Sequence, residues 1–226
     1  VDIIACMDNP ETFNPQCRSC NRLSAFLDEV KQQHPDYFCQ PVPPFGDDDP
    51  TLFIVGLAPG LHGANRTGRP FTGDYAGILL YETLHQYGFA SAAISRDRDD
   101  GFRLIDCRIT NAVKCLPPAN KPTTAEIRQC NIYLTAELRQ LATKAIVLAL
   151  GKIAHDAVLR AHQLKLSSLK FAHGARHSLP DGTILIDSYH CSRYNTQTGR
   201  LTPSMFQDIF RQIRKLVDAT DMEAGT

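Results

Sequence analysis

Four short apolar runs set the architecture: TLFIVGL (51–57), RLIDCRITNAV (about 103–113), KAIVLAL (144–150) and TILIDSY (183–189). Each is rich in branched residues, bounded by turn formers and too short for a buried helix, so each reads as a strand. Helical periodicity fills the gaps, over 21–33, 75–87, 123–141, 152–163 and 203–218, with Asp74 placed to cap the second of these. Strands alternating with helices require right-handed crossovers, and the expected result is an α/β fold, a three-layer α/β/α sandwich around a central four-stranded, mostly parallel sheet. A chain of 226 residues, 43% of them hydrophobic, is enough for one such domain. Ligands of these sheets sit beyond the carboxyl ends of the strands, which gathers segments 56–74, 111–121 and 190–200 around one crevice. The Pro-rich stretches 41–50 and 117–122 read as rigid connectors, and the tail DATDMEAGT is expected to fray.

Basic and acidic side chains number 24 each, so the molecule as a whole exerts no net field on a polyanion. A nucleic-acid surface would have to be local. Arg139, Lys144, Lys152, Arg160, Lys165, Lys170 and Arg176 cross a stretch whose only acid is Asp156, a pattern that a solvated helix face also satisfies. No apolar segment approaches the roughly 18 residues of a bilayer span, and VDIIACMDNP lacks the layout of a signal peptide. The expectation is a soluble, intracellular protein without membrane partners. In that setting its eight cysteines suggest metal rather than a disulfide framework.

Cys17 and Cys20 form C-x-x-C just ahead of the first helix, a spacing that lets two thiolates face one metal centre. Cys115 and Cys130 offer a second pair, one after the second strand and one in the following helix. Four soft ligands suit a tetrahedral zinc or an iron-sulfur cluster, and spacing alone does not choose between them. As small buried hydrophobes Cys115 and Cys130 would need no metal. Cys6, Cys39, Cys107 and Cys191 lack such pairing and are expected to be unligated.

Behind the first run lies GLAPGLHGANRTGRPFTGD (56–74), with glycines at 56, 60, 63, 68 and 73. These fit neither G-x-x-x-x-G-K-[ST] nor G-x-G-x-x-G, so the usual phosphate-binding loops are excluded. Small residues here let backbone approach a ligand closely. The segment resembles motif one of the uracil-DNA glycosylase superfamily, specifically its family 5, or type B, iron-sulfur branch. VKCLPPANKPT (113–123), ALGKIA (149–154) and SYHCSRYNTQTGRLTP (188–203) extend the resemblance, in order, over nearly the whole chain.

The resemblance implies a [4Fe-4S] cluster on Cys17, Cys20, Cys115 and Cys130, structural in role. It implies a monofunctional glycosylase that flips uracil, and other deaminated bases such as hypoxanthine, out of DNA and leaves an abasic site. Phe71 would stack on the extruded base, with Gly56, Ala58, Gly60 and Gly63 lining its pocket. His190, just past the last strand, would donate to uracil O2 as negative charge grows there. Asn111 and Asn120 are both candidates to read the base edge, and an asparagine beside prolines is also an ordinary turn former. Where relatives in the superfamily carry an acidic or amide residue in G-x-x-P, this chain has Leu57 and Ala58. Asp74 then becomes the catalytic carboxylate, unless it only caps a helix. Arg193, Tyr194 and Asn195 would enter the minor groove, and Arg66, Arg69, Lys121 and Arg200 would clamp phosphates. The protein is expected to act as a monomer in a prokaryotic, nucleoid-associated setting. Two other readings stand beside this one: a non-catalytic iron-sulfur module that recognises damaged or single-stranded DNA, and a zinc hydrolase of free nucleotides.

Overall fold

The computed structural model describes residues 13–142 and 145–224; Cys6 and Lys144, both named above, lie outside them. Helix α1 (Asn21–Gln33) comes first. The short β1 (Phe45–Gly46) leads into β2 (Leu52–Gly56), followed by α2 (Ala64–Thr67) and α3 (Tyr75–Gln86). Next come β3 (Cys107–Asn111), α4 (Thr124–Arg139), β4 (Ile146–Leu150) and α5 (Lys152–Ala161). The chain closes with β5 (Arg176–Ser178), β6 (Ile184–Ser188), α6 (Arg193–Gln197) and α7 (Pro203–Ala224). The tail expected to fray is thus helical as far as Ala224.

The four expected strands form the parallel centre, in the order β3-β2-β4-β6. Two further strands border it: β1 pairs antiparallel to β3, and β5 antiparallel to β6, which makes six. Neither is long enough to show a period-two pattern. Residues of β2 alternate between two cores. Leu52 and Ile54 join Leu80 and Leu84 of α3 and Phe206, Phe210 and Ile213 of α7. Phe53 and Val55 join Leu134 of α4 and Val158 and Leu159 of α5. Every residue of β2 and β4 is buried, as expected for strands covered by helices on both faces.

Helix α1 lies at the carboxyl-end side of β3, where Leu23 packs with Val113, Cys130 and Tyr133. A capping box starts α4: Thr123 Oγ1 accepts from Glu126 N (3.2 Å) and Glu126 Oε2 accepts from Thr123 N (2.7 Å). Such a cap contributes about 1 kcal/mol. The same Glu126 accepts from Arg22 Nε and Nη2 of α1, both at 2.7 Å, so one carboxylate starts α4 and ties α1 to it. That tie joins the two segments carrying the four candidate ligand cysteines.

Candidate active site

A cavity of ≈ 580 Å³ opens at the carboxyl ends of the parallel strands, where the sheet rule puts it. Leu57, Ala58, Gly60, Phe71, Asp74, Asn111, Asn120, Tyr75 and His190 contribute to its wall. Residues from all three predicted loops therefore meet in one place. Gly56 and Gly63 are not on the wall; they make room behind it.

Phe71 is buried and holds a left-handed backbone, φ 57°. A bulky residue takes that conformation only where its surroundings enforce it. Tyr81 Oη donates to the preceding carbonyl of Pro70, and Thr72 Oγ1 lies 2.8 Å from Ser95 Oγ, so both flanks are tied down. Gly77 gives the Phe71 carbonyl its space, since a Cβ there would come within 1.9 Å of it. The Phe71 and His190 rings lie near parallel, 26° apart with centroids at 5.9 Å.

His190 follows β6, and its carbonyl accepts from Asn195 Nδ2 at 2.8 Å. Its Nδ1 is enclosed with no hydrogen-bond partner. Burial pushes the imidazole down to about 4, so the ring is neutral at physiological pH. Asn111, the last residue of β3, is 3% exposed, and its Oδ1 is likewise buried and unpartnered. Gly56 makes that placement possible: a Cβ there would sit 2.4 Å from Asn111 Oδ1 and 2.7 Å from Phe71 Cζ. Asn120 is exposed at the rim with φ 55°.

Asp74 precedes α3 in extended conformation, yet its side chain makes no capping bond to that helix. The carboxylate turns back instead, where Ala64 N donates to Oδ2 at 3.4 Å. Gly60 and Gly63 wrap it. Burial raises the Asp74 carboxyl above its ordinary range, against the lowering influence of the Ala64 N–H, Arg66 and His62.

The cations divide. Lys121, Arg193 and Arg200 are exposed, with the Arg193 guanidinium 5.7 Å from the Tyr75 ring centre and that of Arg200 4.7 Å from Tyr189. Tyr194 is 72% exposed beside the cavity. Arg66 is half-buried and donates through Nε to His62 O (2.8 Å). Arg69 departs from its expected role as a phosphate clamp. It is 5% exposed, donates to Ser95 Oγ and Asp100 Oδ1 at 2.7 Å each and to Arg98 O, and covers the Phe45 ring at 4.5 Å. A guanidinium so engaged is an internal strut holding the loop that carries Phe71. Asn195, expected on DNA, spends its amide on His190.

Cys17, Cys20, Cys115 and Cys130 line one small cavity between α1 and α4. Burial and the neighbouring Cys130, Cys17 and Cys20 push the Cys115 thiol up to about 12. Burial pushes Cys130 up to about 11, opposed by Lys114, whose backbone N–H donates to its sulfur at 3.3 Å. The four cysteines thus line one cavity, Cys130 buried and the other three half-buried. Cavity-wall residues given no role at the sequence level include Tyr75, at the start of α3, and Ile153, which lies within ALGKIA.

Such a crevice, floored by an aromatic ring and walled by an asparagine and a histidine that each keep a buried polar atom unpartnered, defines an α/β protein built to take a flat ligand with polar edges. The sequence model of the uracil DNA glycosylase superfamily matches residues 43–214, and the chain belongs to that superfamily. It is 45% identical over 205 residues to a type-5 uracil-DNA glycosylase of Thermus thermophilus, covering 88% of this chain and 93% of that one. A type-5 enzyme of Mycobacterium leprae is 45% identical over 209 residues (88% and 91%). A type-4 uracil-DNA glycosylase of Archaeoglobus fulgidus is 33% identical over 159 residues (70% and 66%).

Proposed function

We propose that this protein is a DNA repair enzyme that hydrolyses the N-glycosidic bond of uracil in DNA, acting as a monomer on a base rotated out of the helix. The observation that carries this is the near-parallel contact of Phe71 with His190 in the wall of a cavity also lined by Asn111, whose Oδ1 is buried and unpartnered. The base stacks on Phe71. Asn111 reads its edge from the floor, while Asn120 and Ala58 bound it from the rim. Neutral His190 donates to the departing base where electrons accumulate, a contribution of about 3 kcal/mol for one preorganised donor. The Asp74 carboxylate stands on the same wall, where it orients water and steadies the cationic sugar. Lys121, Arg193, Arg200 and Arg66 meet the DNA backbone, and Tyr194 enters the duplex beside the vacated position. With Leu57 and Ala58 in place of a polar pair, the pocket also accepts other deaminated bases such as hypoxanthine.

We further propose a [4Fe-4S] cluster on Cys17, Cys20, Cys115 and Cys130. Burial raises the thiols of Cys20, Cys115 and Cys130, which makes them poor anions alone, but a metal centre stabilises such thiols as thiolates. When bound, the cluster staples α1 to α4 and the loop before it.

The test joins two measurements on the purified protein. Uracil-containing oligonucleotide, treated with alkali after incubation, is expected to break at uracil, and the protein to be brown with about four irons per chain. Intact oligonucleotide with tight binding would favour a non-catalytic module. A colourless protein with stoichiometric zinc would remove the cluster.

A further inference from the structure

Behind the strand that delivers His190 lies a wholly buried polar pair that the excision chemistry leaves unused. His155 of α5 and Asp187 of β6 both have no solvent exposure, with His155 Nδ1 2.8 Å from Asp187 Oδ1. On its other side, His155 Nε2 is 3.1 Å from the carbonyl of Leu169. A carbonyl only accepts, so Nε2 bears a hydrogen. In a neutral ring Nδ1 would then turn a lone pair on a carboxylate oxygen at hydrogen-bond distance, a repulsive contact. One proton must lie between them. His177 Nε2 of β5 approaches the second oxygen, Oδ2, at 3.3 Å.

This proton joins three elements. Asp187 N donates to Ala175 O (3.0 Å) and its carbonyl accepts from Gly174 N (2.8 Å), so the backbone of the same residue holds the loop ahead of β5. Two residues on, Tyr189 N donates to His173 Nδ1 (3.1 Å), and the two rings stack at 5.0 Å. The next residue is His190. Beyond β6 this flank has only the three-residue β5, so Asp187 supplies the cross-ties that a longer strand would.

We propose that His155 and Asp187 are positioning residues for base excision: a buried pair sharing one proton fixes the end of β6 and thereby aims His190 at Phe71. The titratable groups facing the ring are Asp187 from β6, Asp156 from its own helix and His177 from β5. Burial opposes a charged ring, but Asp187, the Leu169 carbonyl and Asp156 outweigh it, so His155 titrates above an ordinary histidine. The inference rests on His190 acting at the base, and its first test does not depend on that.

In long-range 1H–15N spectra of the intact protein at pH 7.5, both His155 nitrogens are expected to carry hydrogen. Asp187→Asn should leave Nδ1 bare, because the new amide donates to it. A neutral His155 in the native protein overturns the proposal, whether or not His190 is catalytic. In single-turnover assays Asp187→Ala is expected to lose about 30-fold in excision with binding to abasic DNA within threefold, the cost of misaiming a group remote from the mutation. Asp187→Asn, which keeps the geometry, should recover to within about threefold of native. If the alanine variant does not fold, His155→Asn replaces it, with its amide on Asp187 but none on Leu169, and should lose excision about tenfold at unchanged DNA affinity. Native rates in the variant that folds, equal loss of binding and excision, or failure of Asp187→Asn to recover would each overturn the assignment. So would a stoichiometric divalent metal, other than iron, that Asp187→Ala releases.

Discussion

Gly63 and Asp74 are fitted to one another so closely that a Cβ on Gly63 would stand 1.8 Å from the Asp74 carboxyl carbon. The residue is therefore glycine for the sake of the aspartate, whatever its own backbone requires. Gly63→Ala must push the carboxylate off its seat against Ala64 N and toward the cavity. The expected outcome is about a 100-fold fall in single-turnover excision, with binding to uracil-containing DNA held within about threefold, read by fluorescence anisotropy. Native activity in this variant would mean that the carboxylate position is not used.

Asp74 itself should show a trade between activity and stability. Its carboxyl is raised by burial, so the folded state binds a proton that the unfolded chain has already released above pH 3.8. Stability from this group therefore falls as pH climbs from there through the raised folded value, and the penalty persists at neutrality. Asp74→Asn removes it. At pH 7 the variant should melt a few degrees higher than native, the gap should close toward pH 4, and excision should drop by about 100-fold or more. A lower melting temperature at pH 7 would assign Asp74 to structure.

Two unpartnered buried atoms, Asn111 Oδ1 and His190 Nδ1, predict where binding specificity lies. A buried polar group that awaits a ligand costs stability until the ligand arrives. Asn111→Ala is expected to lower kcat/KM for uracil by about 10- to 100-fold, whereas Asn120→Ala, altering an exposed rim residue, should lose under about tenfold. For His190, burial pushes the ring down to about 4, so its imidazole NMR resonances should stay at their neutral positions through pH 6.5 and move only on further acidification. A midpoint near 6.5 would mean that the ring is exposed in solution.

The parallel centre of the sheet was legible because its middle strands β2 and β4 bury both faces, which leaves continuous apolar runs such as Leu52-Phe53-Ile54-Val55. Strands β1 and β5 were not, since Phe45–Gly46 and Arg176–Ser178 exist only through pairing with β3 and β6. Motif residues at strand ends, Asn111 and His190, could be placed in one crevice from topology alone. The fate of Arg69 could not. Arg66 and Arg69 look alike in GANRTGRPF, and only the long loop that brings Ser95, Arg98 and Asp100 back over Arg69 distinguishes strut from surface. Likewise Asp74 has the sequence position of a helix cap, and the glycines that draw its side chain elsewhere act through space.

That division of the cations yields the last prediction. Arg69 sits between Asp100, Ser95 and two aromatic rings, so removing it leaves buried acceptors unmatched and releases the loop that carries Phe71. Arg69→Ala should destabilise by about 2 kcal/mol and leave the salt dependence of DNA binding unchanged, because no phosphate contact is lost. Lys121→Ala and Arg200→Ala should do the reverse. Each should leave the melting temperature within about a degree and reduce the slope of log K against log salt by about 0.9, the increment for one phosphate. Titrations of uracil-containing duplex from 50 to 200 mM salt, with melts of the same preparations, read both quantities. A reduced slope in Arg69→Ala would mean that the strut swings out onto DNA.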